Sequence, residues 1–323
     1  MRASASGAFS PAVHDEATAP PVSRARAAYP ATVFFACALT LVVIAWGSWV
    51  RAEGAGLACP DWPLCHGQLI PPMEELVLIE WGHRLIAAVL GFGILFTTAG
   101  AWRWYRRDRS VLIPATAALI FVTIQVLLGG LTVTADLSPQ VVSAHLGTSL
   151  AVFASLLVTA VGVAGWPRER VAAASLRAFP LVALFGGLVT YGLMLTGSYV
   201  VGSGASAACR SWPLCNGLPG GGDLVQVNMF HRTAVLLVGG VVLFVAYQAW
   251  QLRPVQPALF LVAVAAVVIY LLQALVGAGN ALIGVTVGVQ VAHVATAAAM
   301  WAAMVLLVTL AWRAGRPEGL QSG

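Results

Sequence analysis

The sequence contains no lysine, and Asp, Glu and Arg together make up only 9% of its 323 residues. A soluble domain of this length carries roughly a quarter charged residues, so that class is excluded. Hydrophobic residues reach 59% and mean hydropathy is +0.87. Eight apolar stretches are long enough to cross a bilayer, at ~20 residues each: 31–50, 82–102, 111–134, 140–165, 179–202, 230–250, 257–282 and 287–312. No extended soluble domain is left over. The first 29 residues are rich in Ala, Ser and Pro and lack a continuous apolar core. They read as a disordered cytoplasmic tail rather than a signal peptide. A set of midplane charges that would couple transport is also missing, which argues against a transporter.

Orientation rests on arginine alone. Thirteen arginines fall on one side: Arg2, Arg24, Arg26, Arg103, Arg106, Arg107, Arg109, Arg168, Arg170, Arg177, Arg253, Arg313 and Arg316. Only Arg51, Arg84, Arg210 and Arg232 fall on the other. Positive residues stay in the cytoplasm, so both termini are expected there. The pI of 9.2 then reflects topology and gives no reason to propose a nucleic-acid partner. Trp46, Trp49, Trp81, Trp102, Trp104, Trp166, Trp250 and Trp312 fall near segment ends, where anchoring at the headgroups is expected.

The chain is internally duplicated. Residues 47–67 read GSWVRAEGAGLACPDWPLCHG and residues 197–217 read GSYVVGSGASAACRSWPLCNG. Gly47, Ser48, Val50, Cys59, Trp62, Pro63, Leu64, Cys65 and Gly67 recur 150 positions later. Beyond this loop the shift is 148: His83-Arg84 becomes His231-Arg232, Gln125 becomes Gln273, Gly129 becomes Gly277 and His145 becomes His293. Each half therefore has four crossings, an even number, so the halves share one orientation as a parallel repeat. The expected architecture is an all-α integral membrane protein of eight transmembrane helices in two pseudo-symmetric four-helix bundles. Such bundles hold cofactors between facing helices. Pro114 and Pro180 lie near segment starts, where proline does least damage. Gly129, Gly130, Gly277 and Gly279 would allow close helix approach or make room for a flat ligand.

Within each half two histidines are 62 residues apart, His83 with His145 and His231 with His293. An imidazole in or beside hydrocarbon marks a function by default. On the segment boundaries above, His83 opens helix 2 and His145 lies about two turns into helix 4. Both helices start on the outer side, so the two rings are expected at similar depth. Two such rings can grip a planar macrocycle from both faces, the bis-histidine arrangement of a b-type heme. Two histidines alone do not complete the tetrahedral set that zinc prefers. Arg84 and Arg232 follow the first histidine of each half. Contact with heme propionates and simple snorkelling to the interface are both open for them. His66, replaced by Asn216 in the repeat, and His14 in the tail receive no ligand assignment.

The halves also differ. Glu80 precedes His83 by about one helical turn, whereas the matching residue is Asn228. One pocket thus has a carboxylate able to transfer protons and the other an amide that does not titrate. The expectation is that the first half reacts and the second holds a permanent redox cofactor. Cys59 with Cys65, and Cys209 with Cys215, form two matched pairs on the outer side, where disulfides persist. Local pairing is the obvious connectivity, although four cysteines allow three arrangements. A structural staple and a role in electron delivery or ligand handover both remain open. Cys37 reads as a small apolar residue.

The GLACPDWPLCHG stretch at 56–67, the EWGHR run at 80–84 and the four spaced histidines resemble the heme A synthase family. The resemblance covers nearly everything after residue 30. It implies conversion of heme O to heme A, by oxidising a ring methyl to a formyl group through successive hydroxylations. It implies that His231 and His293 ligate a cofactor heme b. It further implies that His83 and His145 bind the substrate heme, with Glu80 essential nearby. The two cysteine loops match the subgroup with a pair in each half; Glu53 takes no role from the family. Division of the chain follows: a tail at 1–29, a substrate bundle at 30–166, a cytoplasmic linker at 167–177, a heme b bundle at 178–313 and a second tail at 314–323. Expected partners are membrane lipid, heme O synthase, an electron-transfer protein and a further copy of the chain. The expected location is the cell membrane, with the histidine and cysteine sites toward the outer side. Two other readings share parts of this pattern. A diheme cytochrome moving electrons between quinone and a partner needs the histidines but not Glu80. A thiol-disulfide oxidoreductase needs only the outer cysteines.

Overall fold

Hydrocarbon offers no hydrogen-bond partner to a backbone N–H or C=O, so an apolar run closes its own bonds as a helix. The computed structural model, which describes residues 24–165, 175–215 and 222–314, does this eight times. The helices are α1 (Arg24–Ala52), α2 (Glu75–Trp104), α3 (Arg109–Thr134), α4 (Pro139–Val163), α5 (Ser175–Gly202), α6 (Gly222–Gln251), α7 (Pro257–Leu282) and α8 (Val287–Ala314). All eight are long and apolar enough to cross a membrane. Among the described residues there is no strand beyond one isolated bridge, Cys65 to Gln68.

Several helices outrun the apolar segments that announce them. α1 starts at Arg24, inside the stretch expected to be a tail, and α5 at Ser175, inside the expected linker. Residues 1–23, 166–174 and 315–323, which hold the remainder of those segments and Trp166, lie outside the described residues. α2 begins at Glu75 and α6 at Gly222, each about two turns before its apolar run. Hydropathy marks where side chains leave water, whereas a helix continues as long as its backbone bonds are best closed internally. His83 is therefore the ninth residue of α2, not its opening one. His231 is the tenth of α6, and His145 and His293 are each the seventh of α4 and α8. Local signals fix several starts. Asp108 caps α3 by accepting from the Ser110 N–H at 2.9 Å. Ser138 caps α4, with Pro139 in the first turn, where its missing N–H is not needed.

The helices pack in two cycles. α1 meets α2, α2 meets α3, α3 meets α4 and α4 returns to α1; α5 to α8 repeat this order. Polar pins add direction to apolar contact. Tyr29 of α1 donates to the Thr97 carbonyl of α2 at 2.9 Å, and Thr98 of α2 donates to the Ala115 carbonyl of α3 at 2.8 Å. Between the cycles α1 meets α8, and α4 meets α5 and α8. Trp301 of α8 donates to the Leu150 carbonyl of α4 at 2.8 Å, and the Ser143 and Ser198 hydroxyls join α4 to α5 at 3.2 Å. α4 and α8 are accordingly the most buried helices. The outer faces of the others carry large exposed apolar side chains such as Phe35, Phe96, Leu236 and Leu271, as a hydrocarbon solvent requires.

Two tryptophans expected at the headgroups point inward. Trp46 packs on Gly82 and donates its indole N–H to the Ile79 carbonyl at 3.0 Å. Trp104 packs edge-on against Tyr29, with ring centroids 5.6 Å apart. Trp250 stays half exposed, beneath the Arg253 guanidinium at 4.3 Å.

Candidate functional site

All four histidines line one cavity of about 1670 Å³. A single small-molecule site is usually ~300–1,000 Å³, so this volume suits more than one large ligand. Glu80, Arg84, Asn228 and Arg232 also reach its wall.

Each imidazole rests on a glycine of the neighbouring helix. A Cβ on Gly47 (α1) would lie 3.2 Å from His83 Cε1, and one on Gly129 (α3) 3.3 Å from His145 Cε1. The matching distances are 3.1 Å from Gly197 (α5) to His231 and 3.0 Å from Gly277 (α7) to His293. Glycine in a helix is destabilising by roughly 0.5–1 kcal/mol relative to alanine. Here it lets a flat ring lie directly against backbone. Of the other two glycines singled out in the sequence, Gly130 is covered by Trp62 and Gly279 touches only Val289.

Hydrogen bonds then turn each ring. The Gln125 amide donates to His145 Nε2 at 3.2 Å, the lone pair that a metal would otherwise take. The Gln273 amide reaches His293 Nδ1 at 3.2 Å and Nε2 at 3.3 Å, while its Oε1 accepts from the Thr296 hydroxyl. Thr196 lies 2.8 Å from His231 Nδ1. Its hydroxyl has one proton, and that proton goes to the Leu193 carbonyl at 2.7 Å. With its proton on Leu193, Thr196 would accept from Nδ1–H of His231 and leave the ring's lone pair at Nε2. This is the usual way an outer partner prepares a ligating histidine. In the first half the position of Thr196 is held by Trp46, and His83 Nδ1, His145 Nδ1 and Gln125 Oε1 are buried without a partner among the described residues.

No three His, Cys, Asp or Glu side chains gather in metal-binding geometry among the described residues. Each histidine pair would hold an ion that brings further donors of its own. An iron porphyrin does so, and the glycine seats, the unpartnered ring nitrogens and the large apolar cavity fit one.

Next to the first pair the loop between α1 and α2 is latched by Glu80 and Arg84. Glu80 is 4% exposed, so it is not a solvated interfacial residue. Its Oε2 accepts from the Cys59 N–H at 2.8 Å and its Oε1 pairs with Arg84 Nη2 at 2.5 Å. Arg84 also donates to the carbonyls of Cys59, Asp61 and Leu64 at 3.0, 2.7 and 2.6 Å. In the second half Asn228 donates to the Ala205 carbonyl at 2.8 Å, and Arg232 to those of Ser211, Pro213 and Cys209. Propionate contact was one expectation for Arg84 and Arg232. In the structure four of the five Arg84 donors bond its own loop and Glu80, and three of those of Arg232 bond its own loop.

A protein-family model for cytochrome oxidase assembly proteins matches residues 31–78 and 73–305. The chain belongs to this family. Among similar members is a Bacillus licheniformis protein named heme A synthase, 28% identical over 261 residues, which are 78% of this chain and 86% of that one. A Bacillus pumilus protein of the same name is 30% identical over 265 residues, covering 78% and 85%. One from Exiguobacterium sibiricum is 33% identical over 219 residues, covering 66% and 72%.

In this assembly-family chain both cysteine pairs are closed, Cys59 to Cys65 and Cys209 to Cys215, with Cα–Cα distances of 4.7 and 5.1 Å. Cys37 is free and buried in α1. Asp61 braces the first loop, accepting from the His66 N–H at 2.6 Å and the Gly67 N–H at 2.8 Å. The Gly67 N–H, followed by that of His66, holds its carboxyl below the usual aspartate range. Glu53 takes a single contact, accepting from the Trp49 indole at 3.1 Å. His66 reaches the Ala58 carbonyl at 2.9 Å, outside both pockets. Sequence reasoning missed Gly47, Gly197, Thr196 and Thr296 as parts of the site. Gly47 and Gly197 were visible as recurring letters, and so was Thr296, which matches Thr148; Thr196, where the first half has Trp46, left no such signal.

Proposed function

We propose that this chain carries out the heme A synthase reaction, oxidising a ring methyl of heme O to a formyl group by successive hydroxylations. The observation that carries the reading is a cavity wall with two seated histidine pairs of which only one has a carboxylate, Glu80, beside it. The names of the relatives point the same way. His83 and His145 take the substrate heme, and His231 and His293 hold heme b. Bound there, heme b supplies one-electron redox chemistry. The rest is work for this chain's own residues.

Gly47 and Gly129 fix the ring planes of His83 and His145, and hence which edge of the substrate meets the α2 face that carries Glu80. That is positioning in the catalytic sense. Oxidising a ring methyl breaks C–H bonds whose protons need an acceptor, and Glu80 is the carboxylate on the wall of this pocket. We assign proton acceptance to Glu80 Oε2, whose partner is a neutral loop amide; Arg84 steadies Oε1. Thr196 and Gln273 keep the second pair in one orientation, as suits a cofactor that stays while substrates change. The arginine distribution supports cytoplasmic termini and puts both pockets toward the outer side. Heme O then arrives through the membrane from the enzyme that makes it.

Expression in a host that makes heme O but no heme A tests this, with pigments extracted and weighed by mass spectrometry. Wild type is expected to yield heme A or its hydroxylated precursor. Glu80→Gln is expected to stop conversion and keep heme b, while His231→Ala loses heme b and keeps bound heme O. A chain that holds two unmodified b-type hemes and never alters heme O would be a diheme cytochrome instead.

A further inference from the structure

With four of the five Arg84 donors taken by its loop and by Glu80, a carboxylate of a tetrapyrrole in the first pocket needs another cation. We propose that Arg51 is the carboxylate anchor of the first pocket and binds a propionate of the heme held by His83 and His145. This rests on the functional reading above and names how that site recognises its ligand.

Four observations carry it. First, Arg51 lies one helical turn beyond Gly47 on α1, so the residue that seats His83 and the arginine share a helix face. It lies on the outer side of that seat, and it lines the cavity. Second, its hydrogen bonds among the described residues are two long ones, both from Nη2, to the Val201 and Gly202 carbonyls at 3.4 Å. These come from the last turn of α5, whose dipole favours a cation. They hold one nitrogen, at long distance, and leave Nη1 and Nε free to donate charge-assisted bonds to a carboxylate. Third, the one ion pair among the described residues is Glu80 with Arg84. Arg51 has no carboxylate partner there, and Glu53, the nearest acid in sequence, bonds Trp49. A half-buried cation at an apolar wall is costly without a counter-charge. Fourth, the matching residue after Gly197 is Val201, so only the first pocket has this cation. A site that must take up and release a substrate in one orientation gains from an anchor on one edge. A site that keeps its cofactor has less need of it.

The full chain in lipid nanodiscs is titrated with iron protoporphyrin IX and, separately, with its dimethyl ester, followed by visible absorption. His231→Ala/His293→Ala serves as background, with the wild-type background as a second measurement. Arg51→Gln is expected to weaken binding of the free acid about tenfold, the factor of one charge-assisted contact, and to leave the ester unchanged. Arg51→Lys should recover part of the loss. Equal loss for acid and ester, or no loss for either, overturns the proposal, the first outcome showing that Arg51 only braces α1 against α5. Binding that is indifferent to His83→Ala and His145→Ala would bring down the pocket reading itself, and this inference with it.

Discussion

Adding one methyl group at a histidine seat sets two effects against each other. Alanine for glycine in a helix is stabilising by about 0.5–1 kcal/mol, so the heme-free chain should unfold no earlier. At Gly277 the new Cβ would stand 3.0 Å from His293 Cε1 and 3.6 Å from Nδ1, closer than ordinary carbon contact. The ring must then retreat by ~0.4 Å or tilt, near the ~0.5 Å tolerance within which a binding constellation works. Gln273, whose amide nitrogen lies 3.2 and 3.3 Å from the two ring nitrogens and donates to the one with the lone pair, and Thr296 behind it restrict the retreat. We expect Gly277→Ala and Gly197→Ala to weaken heme b retention about tenfold, the scale of losses from outer-partner changes. Gly47→Ala and Gly129→Ala should do the same to the substrate heme. Gly93→Ala and Gly192→Ala, with nothing within 4 Å of the added carbon, are controls. The assay is heme-to-protein ratio after extraction, alongside thermal unfolding of the heme-free chain. Wild-type heme content in all four seat variants would refute the reasoning, as would equal loss in the controls.

Two further outcomes follow from the hydrogen bonds. Thr196→Val leaves His231 Nδ1–H buried without an acceptor, which should loosen heme b about tenfold and spare the first pocket; unchanged heme b retention would count against the assignment. The Asp61 carboxyl is held below its usual range by the Gly67 and His66 amides. Its contribution is therefore fully present above the ordinary aspartate pKa and is lost as pH falls through the lower folded value. With a phosphine reductant, which needs no thiolate, acid should thus speed reduction of Cys59–Cys65 relative to Cys209–Cys215, where Ser211 replaces Asp61, as read by mass labelling of the released thiols.

The helices and their duplication were legible because hydrocarbon punishes an open backbone and leaves long apolar runs. The histidine pairs were legible because nothing else explains matched imidazoles beside lipid. Helix starts were not, since α2 and α6 begin at Glu75 and Gly222, where polar residues such as Glu80, Gln226 and Asn228 interrupt the apolar run. Nor was the use of Arg84. An arginine after a candidate ligand suggests a ligand contact, but the carbonyls it meets belong to residues 20–25 positions earlier in a loop with no regular period. The inward turn of Trp46 likewise depends on a glycine, Gly82, on a different helix.

On the reading proposed above, three of the positions at which the halves differ would divide the labour between them. Where the first half has Glu80, Arg51 and Trp46, the second has Asn228, Val201 and Thr196. The first set supplies a negative charge, a cation at the cavity wall and a His83 Nδ1 left without a partner. The second removes both charges and gives His231 a fixed acceptor. Charge in a half-apolar pocket favours a ligand that brings its own counter-charge and leaves with it, while a tethered ring favours one that stays. Exchanging Thr196 for tryptophan or Trp46 for threonine would alter one tether without touching a charge. If retention of the two hemes did not respond in opposite directions, the tether would have no part in the division.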